Sequence, residues 1–114
     1  MTDQRIREVV RRVASLLAHG DYDALERLSR GKRLTAAELK QAVQEYGRTL
    51  VMPPDEAFER LDVVDVDAFS PKRHGVRLDL WTAQEGRSDL TLEITITDTG
   101  PESYDVQIDD LHVL

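Results

Sequence analysis

The chain has 114 residues, a length that fits one domain over 1–114. It has no cysteine, which excludes disulfides, thiolate metal sites and cysteine nucleophiles. Its hydrophobic (40%) and charged (32%) residues are typical of a folded globular protein, and no apolar run approaches the roughly 20 residues of a membrane helix, so we predict a cytoplasmic chain without a membrane partner. Residues 1–54 carry ten Lys/Arg against seven Asp/Glu, whereas residues 55–114 carry five against fifteen, and such an acidic half would repel nucleic acid.

The first part of the chain predicts two amphipathic helices. Apolar residues recur at steps of three and four from about residue 3 to residue 19, which is typical of a helix with one buried face. Gly20 is expected to end this helix, because glycine tolerates the left-handed conformation that follows many helices. Asp21 can then cap a second helix that runs to about Ser29.

A third helix has the strongest local signal. Thr35 and Glu38 form a capping box, in which each side chain accepts a hydrogen bond from the other residue's backbone N–H. Gly47 is expected to end this helix. Residues 48–52 are predicted to be extended, and residues 55–58 to form a short helical turn after the two prolines.

The second half of the chain predicts a sheet. Apolar and polar residues alternate from Val76 to Ile96 with a break near Gly86, and a period of two places alternate side chains on opposite faces of a strand. We expect strands at about 61–68, 74–82, 89–97 and 103–113, a hairpin loop at 83–88, a turn at 98–101 and a bulge near Asp109-Asp110. The sequence therefore predicts an α+β fold in which three N-terminal helices pack on one face of a curved four-stranded antiparallel sheet.

Two resemblances extend this prediction. The segments EYGRTLVMPPDEAF, DLWTAQEGRSDLTLE and IDDLHVL resemble a family of small bacterial proteins without an assigned function, which brings no catalytic residues to this chain. The segment LLAHGDYDALERLS and the order of elements resemble the cone-shaped nuclear transport factor two-like and ketosteroid isomerase-like fold. That superfamily contains isomerases, dehydratases, binding modules and toxin-immunity proteins, so the resemblance implies a fold and leaves the function open. The superfamily usually has a long strand region between its second and third helices, and residues 30–34 are too few for one.

Trp81 is the residue on which the functional hypothesis depends. It is the only tryptophan, and strand parity places it on the polar face, where an exposed Trp among charges is typical of an interface anchor. If the strand bulges before the loop, Trp81 instead turns into the core. The interface candidates that share this face are Trp81, Arg77, Asp79, Thr91, Glu93 and Thr95.

Two functions follow. The preferred hypothesis is a non-catalytic protein-binding module of the bacterial cytoplasm, of which an immunity-type protein is one case. It would bind a basic protein partner, or a second copy of itself as a homodimer, through the outer sheet face. The alternative is a small-molecule-binding protein or an enzyme with a pocket between helices and sheet. The pocket candidates are Tyr22, Tyr46, Phe58 and Leu80.

The sequence predicts no catalytic residue, no cofactor and no metal. Asp79 could serve as an isomerase-like base, but it falls on the polar face of its strand and outside any cavity. Asp110 and His112 share a strand face at ligand-like spacing, alongside Asp105 and Asp109, yet two ligands are too few for a metal site and no third has matching spacing. His74, at the end of an element, is expected to be solvated.

Overall fold

The fold is a layer of helices packed on one face of an antiparallel sheet, in a computed structural model that describes residues 4–66, 72–100 and 103–113. The helices are α1 (Gln4–Ala18), α2 (Tyr22–Ser29), α3 (Ala36–Tyr46) and α4 (Asp55–Glu59). The strands are β1 (Leu50–Val51), β2 (Asp62–Val66), β3 (Arg73–Thr82), β4 (Gly86–Gly100) and β5 (Ser103–Val113). The predicted α+β class is confirmed, and the extended segment and the helical turn that were expected before the sheet appear as β1 and α4.

The ends of the helices follow the predicted chemistry. Gly20 and Gly47 have φ values of 70° and 74°, which glycine adopts without steric cost. The Asp21 carboxylate accepts a hydrogen bond of 3.2 Å from the backbone N–H of Ala24 and so caps α2. These contacts satisfy backbone groups that have no partner inside a helix.

The capping box of α3 is present in full. The Thr35 hydroxyl accepts a hydrogen bond of 3.3 Å from the Glu38 N–H, and the Glu38 carboxylate accepts one of 3.0 Å from the Thr35 N–H. Leu39 is completely buried on the inner side of the helix, and Leu34 packs against the same core. The local sequence signal therefore determines both where α3 begins and which face it buries.

The sheet is four strands wide although it contains five strands among the described residues. Its order is β1-β3-β4-β5, and β2 also pairs with β3. β1 pairs with Trp81 and Thr82 of β3, whereas β2 pairs with residues 73–77. β1 and β2 therefore share one edge of β3, and residues 78–80 lie between the two paired segments.

The hairpin between β3 and β4 is tighter than predicted. The expected loop at 83–88 is wrong, because only residues 83–85 form the turn and Gly86 already begins β4 at a φ of 75°. The Thr82 hydroxyl closes this turn by accepting a hydrogen bond of 3.0 Å from the Glu85 N–H. The alternation of apolar and polar residues could not show that β4 begins at Gly86, because the polar residues that follow Gly86 resemble a loop.

Two further boundaries depart from the prediction. β4 continues to Gly100, which pairs with Ser103, so the turn expected at 98–101 does not begin at 98. Residues 101–102 of that expected turn lie outside the described residues. Likewise, the strand predicted over 61–68 is described as far as Val66, and residues 67 and 68 lie outside.

The core lies between α1–α4 and the inner face of the sheet. The alternate residues Leu90, Leu92, Ile94 and Ile96 of β4 are all buried, as their spacing predicted. The buried residues that meet them from the helices are Val10, Val13, Leu17, Leu25, Leu39 and Phe58. A central strand covered by helices on one face explains the strict alternation in this part of the sequence.

A bulge in β5 confirms the predicted irregularity near Asp109-Asp110. Ile94 of β4 pairs with Ile108, and the preceding residue Glu93 pairs with Asp110, so Asp109 is the extra residue. The extra residue reverses the parity of β5 and turns Leu111 into the core. Val113 remains 56% exposed at the end of the sheet.

One inward-facing residue was assigned wrongly to solvent. The His74 side chain is only 14% exposed, since His74 pairs with the buried Ile96 on the inner face of the sheet. Its Nδ1 lies 2.6 Å from a carboxylate oxygen of Asp65 on β2. His74 shares the strand parity of the buried Val76 and Leu80, so it faces inward although it lies near the end of β3, and Asp65 of the neighbouring strand holds its imidazole at the rim of the core.

Candidate functional site

The face of the sheet that points away from the helices carries the candidate interface residues. We call it the outer face and define it by residues of β3, β4 and β5 that pair across the strands: Arg77, Asp79, Trp81, Thr91, Glu93, Thr95, Asp110 and His112. Their neighbours along each strand, including Leu78, Leu80 and Leu92, are buried in the core. The structure therefore brings all six candidate interface residues to one face, as alternation predicted.

Trp81 is half-buried on the outer face. Its ring packs on Gly86 of β4, where an added Cβ would lie 3.6 Å from the ring atom Cζ3. Val51 of β1 pairs directly with Trp81 and is 38% exposed. The ring is therefore neither a core residue nor a free surface side chain, because it covers a glycine and remains partly exposed.

A cleft of about 520 Å³ opens beside the Trp81 ring. It lies where residues 78–80 of β3 pass between β1 and β2, and α4 forms its far wall. The cleft is lined by Pro54, Glu56, Ala57, Arg60, Asp62, Arg77, Leu78, Asp79, Trp81 and Arg87. Apolar surface from Trp81, Pro54 and Ala57 thus lies among three arginines and three carboxylates.

Polar side chains on the outer face hold one another in place. The Thr91 hydroxyl donates a hydrogen bond of 3.2 Å to the Asp79 carboxylate, and Arg87 lies 3.9 Å from the same group. Thr91 itself is 1% exposed, so it supports the face rather than offering contact area. Asp79 lies outside the core, as strand parity predicted, and an isomerase-like base in an apolar cavity does not fit this position.

Thr95 is held by the bulge residue of β5. Its hydroxyl donates a hydrogen bond of 2.5 Å to the Asp109 carboxylate, which also accepts one of 2.6 Å from the Gln107 amide. Arg33 lies 3.9 Å from Asp109. These contacts stabilise the bulge and leave Thr95 as a half-buried structural residue of the outer face.

Glu93 is the centre of a charged cluster on the outer face. One of its carboxylate oxygens lies 2.7 Å from His112 Nε2, and the other accepts a hydrogen bond of 3.1 Å from Arg77. Asp110 completes the cluster, with a carboxylate oxygen 3.8 Å from His112 Nε2. The hydrogen bond with His112 lowers the pKa of the Glu93 carboxyl, and Arg77 adds to this effect.

Sequence reasoning paired Asp110 with His112 but found no third ligand-bearing residue. Glu93 was named only as an interface candidate, because it lies on a different strand. Antiparallel pairing places Glu93 directly opposite Asp110, and this pairing depends on the bulge at Asp109. The one sequence feature that could have identified Glu93 as the third residue was the predicted bulge, and its use would have required the register of β4 against β5.

The four pocket candidates lie in different parts of the fold. Phe58 and Leu80 are buried in the hydrophobic core at 0% and 2% exposure, and the Arg11 guanidinium lies 4.5 Å from the centre of the Phe58 ring. Tyr22 lines a groove of about 590 Å³ between α2 and α3. Tyr46 faces the β3–β4 turn. The structure therefore does not bring the four residues together as the lining of one pocket.

Tyr46 joins α3 to the hairpin turn. Its hydroxyl donates to the Glu85 carboxylate at 2.8 Å, and Glu85 also accepts a hydrogen bond of 3.0 Å from the Thr82 hydroxyl. Partial burial raises the pKa of the Tyr46 phenol, and the Glu85 carboxylate raises it further. The arrangement fixes a turn and holds no group poised for catalysis.

Basic residues of the helix half form ion pairs with acidic residues of the second half of the chain. Arg30 and Lys32, in the loop after α2, lie 3.9 and 3.8 Å from the Asp105 carboxylate of β5. Arg11 of α1 lies 3.0 Å from Asp55 at the start of α4. Part of the acidity of the strand half is therefore neutralised by the helix half.

Comparison with known protein families adds one result. Residues 14–114 match the model of a domain of unknown function, DUF7668. The chain belongs to this family. No curated protein and no solved structure matches the chain. The resemblance to the nuclear transport factor two-like fold therefore stays a prediction.

The matched DUF7668 stretch contains the whole sheet and every candidate site residue, while most of α1, residues 4–13, precedes it. Within the described part of the chain, no helix has the length and apolar character required to cross a bilayer. The DUF7668 domain thus includes the outer face, the cleft beside Trp81 and the cluster around Glu93 as one continuous surface of its sheet.

Proposed function

We propose that this DUF7668 domain is a non-catalytic protein-binding module of the bacterial cytoplasm, of the immunity type, that binds a basic protein partner through its outer face. The observation that carries the proposal is the half-buried Trp81 ring at the edge of an open cleft. A tryptophan in this position can bury a large area on binding at a small cost in side-chain entropy. The cleft beside it offers a partner side chain a concave place to enter.

The surroundings of Trp81 suit a protein partner. Val51 lies directly opposite Trp81, and Val64 of β2, which is 60% exposed, extends apolar contact to the other end of β3. Charged residues separate the two apolar regions. An apolar anchor bordered by polar groups is the common anatomy of a protein interface.

Charge selects the class of partner. The outer face and the cleft beside Trp81 together carry five carboxylates and three arginines, so this surface is acidic. A second copy that docked through the same face would bring like charges together, which costs free energy. A partner with a basic surface would instead be attracted to this face, and its association would slow as salt is added.

The test begins with capture of partners from the source cells, using the wild-type chain and Trp81→Ala as baits. The captured protein is then purified, and its affinity is measured by isothermal titration calorimetry at low and high salt. We expect a basic protein that Trp81→Ala binds about thirtyfold more weakly, the equivalent of about 2 kcal/mol at a hot spot. Hydrogen exchange should show protection of β3 and β4.

The matched control is Val113→Ala, which removes an exposed apolar side chain from β5, at the edge of the sheet opposite β1. It should bind the partner as the wild type does. Protection confined to the helices, or an unchanged affinity for Trp81→Ala, would overturn the proposal. A dimer in analytical ultracentrifugation that Trp81→Ala dissociates would show that the occupant is a second copy rather than a basic partner.

A further inference from the structure

Three potential metal ligands converge on the outer face. Glu93 of β4 and Asp110 and His112 of β5 each direct one ligand atom to a common point, and these atoms all lie within 4.8 Å of one another. They are the one group of this kind among the described residues. The set combines two carboxylates with an imidazole, and Arg77 links it to the Trp81 cleft.

Both carboxylates are oriented by a second contact. One oxygen of Glu93 is held by Arg77 at 3.1 Å, which leaves the other oxygen directed at His112 Nε2. One oxygen of Asp110 accepts a hydrogen bond of 2.9 Å from the Leu111 N–H, and the other faces His112 Nε2 at 3.8 Å. Donors behind metal ligands fix ligand orientation in the same manner.

We propose that Glu93, Asp110 and His112 bind a divalent transition-metal ion of the zinc class. Zn²⁺ in tetrahedral sites lies about 2.0–2.2 Å from nitrogen and oxygen ligands, which places the ligand atoms about 3.3 Å apart. The two separations from His112 Nε2, 2.7 and 3.8 Å, lie on either side of this value, and no separation within the set exceeds 4.8 Å. Small rotations of side chains that are partly exposed are enough to equalise them.

The ligand types and the local charge select the ion. An imidazole with two carboxylates suits Zn²⁺ and its neighbours Co²⁺ and Ni²⁺ better than Mg²⁺ or Ca²⁺, which prefer oxygen ligands alone. Two carboxylates with the single positive charge of Arg77 leave a local charge of about −1, which attracts a dication. Three protein ligands leave a coordination position for water or for a donor from a bound molecule.

The test uses the full chain after treatment with a chelator, and Zn²⁺ alone as the probe. Isothermal titration calorimetry should show one ion bound per chain. Asp110→Asn and His112→Ala should each weaken binding at least tenfold. Asp110→Asn keeps the shape of a side chain that is 54% exposed, so it tests the ligand without endangering the fold. Co²⁺ should give visible absorption bands in the wild type that both variants lose.

His74→Ala is the matched control, because His74 forms a comparable pair with Asp65 elsewhere on the same sheet and lies outside the cluster. This variant should bind Zn²⁺ as the wild type does. Absence of binding at millimolar Zn²⁺ would overturn the proposal. Equal affinity in the wild type and Asp110→Asn would also overturn it, since the ion would then be bound elsewhere. Neither result bears on the partner experiment, which is performed with Trp81 variants.

Discussion

Replacing Trp81 with alanine is the most informative single change, because the ring has a structural contact and a proposed binding role at once. The ring covers Gly86 on one side and faces the cleft on the other. A large aromatic side chain buries about 150–250 Å² when it is fully enclosed. About two thirds of that area at about 25 cal/mol per Å² corresponds to about 2.5–4 kcal/mol, from which the area that an alanine would still bury must be subtracted.

We therefore expect Trp81→Ala to lower the free energy of unfolding by about 2 kcal/mol, below the roughly 3–5 kcal/mol lost when a core aromatic is removed. Urea unfolding should be followed by far-ultraviolet circular dichroism, since the variant lacks the tryptophan whose fluorescence would otherwise report unfolding. Trp81→Phe retains an aromatic ring over Gly86 and should recover part of the loss. Val64→Ala, at a residue that is 60% exposed, should change stability by less than about 0.5 kcal/mol.

Two results would refute this reasoning. A loss above about 4 kcal/mol would mean that the ring acts as a core residue. The chain would then lack the partly available anchor on which the proposed function depends. A loss too small to measure would mean that the ring does not rest on Gly86 in solution.

Three further predictions address the fold around the site. Thr35→Ala should cost about 1 kcal/mol in urea unfolding, because it removes the cap of α3, whereas Thr35→Asn should recover most of this loss. Leu92→Ala should cost about 2–5 kcal/mol, since the side chain is 1% exposed and is enclosed by strands on both sides; a cost below about 1 kcal/mol would contradict the register. An absorbance titration at alkaline pH should show a phenol whose pKa lies above the ordinary value of about 10, and this ionisation step should be missing in Tyr46→Phe. Because the folded-state pKa is raised, this phenol contributes stability that is present below pH 10 and is lost as the pH rises through the folded-state pKa.

Local chemistry made much of the fold predictable. The Thr35 capping box, the glycines that end α1 and α3, and the alternation from Leu90 to Ile96 each depend on residues close together in sequence, and the structure confirms them. Features that depend on neighbouring strands were missed. The contact of the His74 imidazole with Asp65, for example, joins β3 to β2, and a reading of one strand at a time does not reveal it.

The candidate sites were predictable only in part for the same reason. Parity placed Trp81 on the outer face, but the cleft beside it exists because β1 and β2 pair with different ends of β3, and α4 fills the space between them. Burial of Thr91 also depends on its neighbours, among them Asp79 and His112. Strand alternation identifies the face on which a residue lies, and pairing between strands determines which residues meet there.

Both candidate sites lie where the regular pairing of the sheet is interrupted, and one interruption acts through a single residue. If Asp109 were regularly paired instead of bulged, the parity that buries Ile108 would also direct Asp110 and His112 into the core and turn Leu111 to solvent. The extra residue avoids this arrangement, which would bury a carboxylate and an imidazole against apolar side chains at a high cost in desolvation. The bulge therefore does two things at once: it places Leu111 in the core, and it brings Asp110 opposite Glu93 on the outer face. The burial of apolar residues in β5 thus suffices to assemble the cluster to which we assign metal binding.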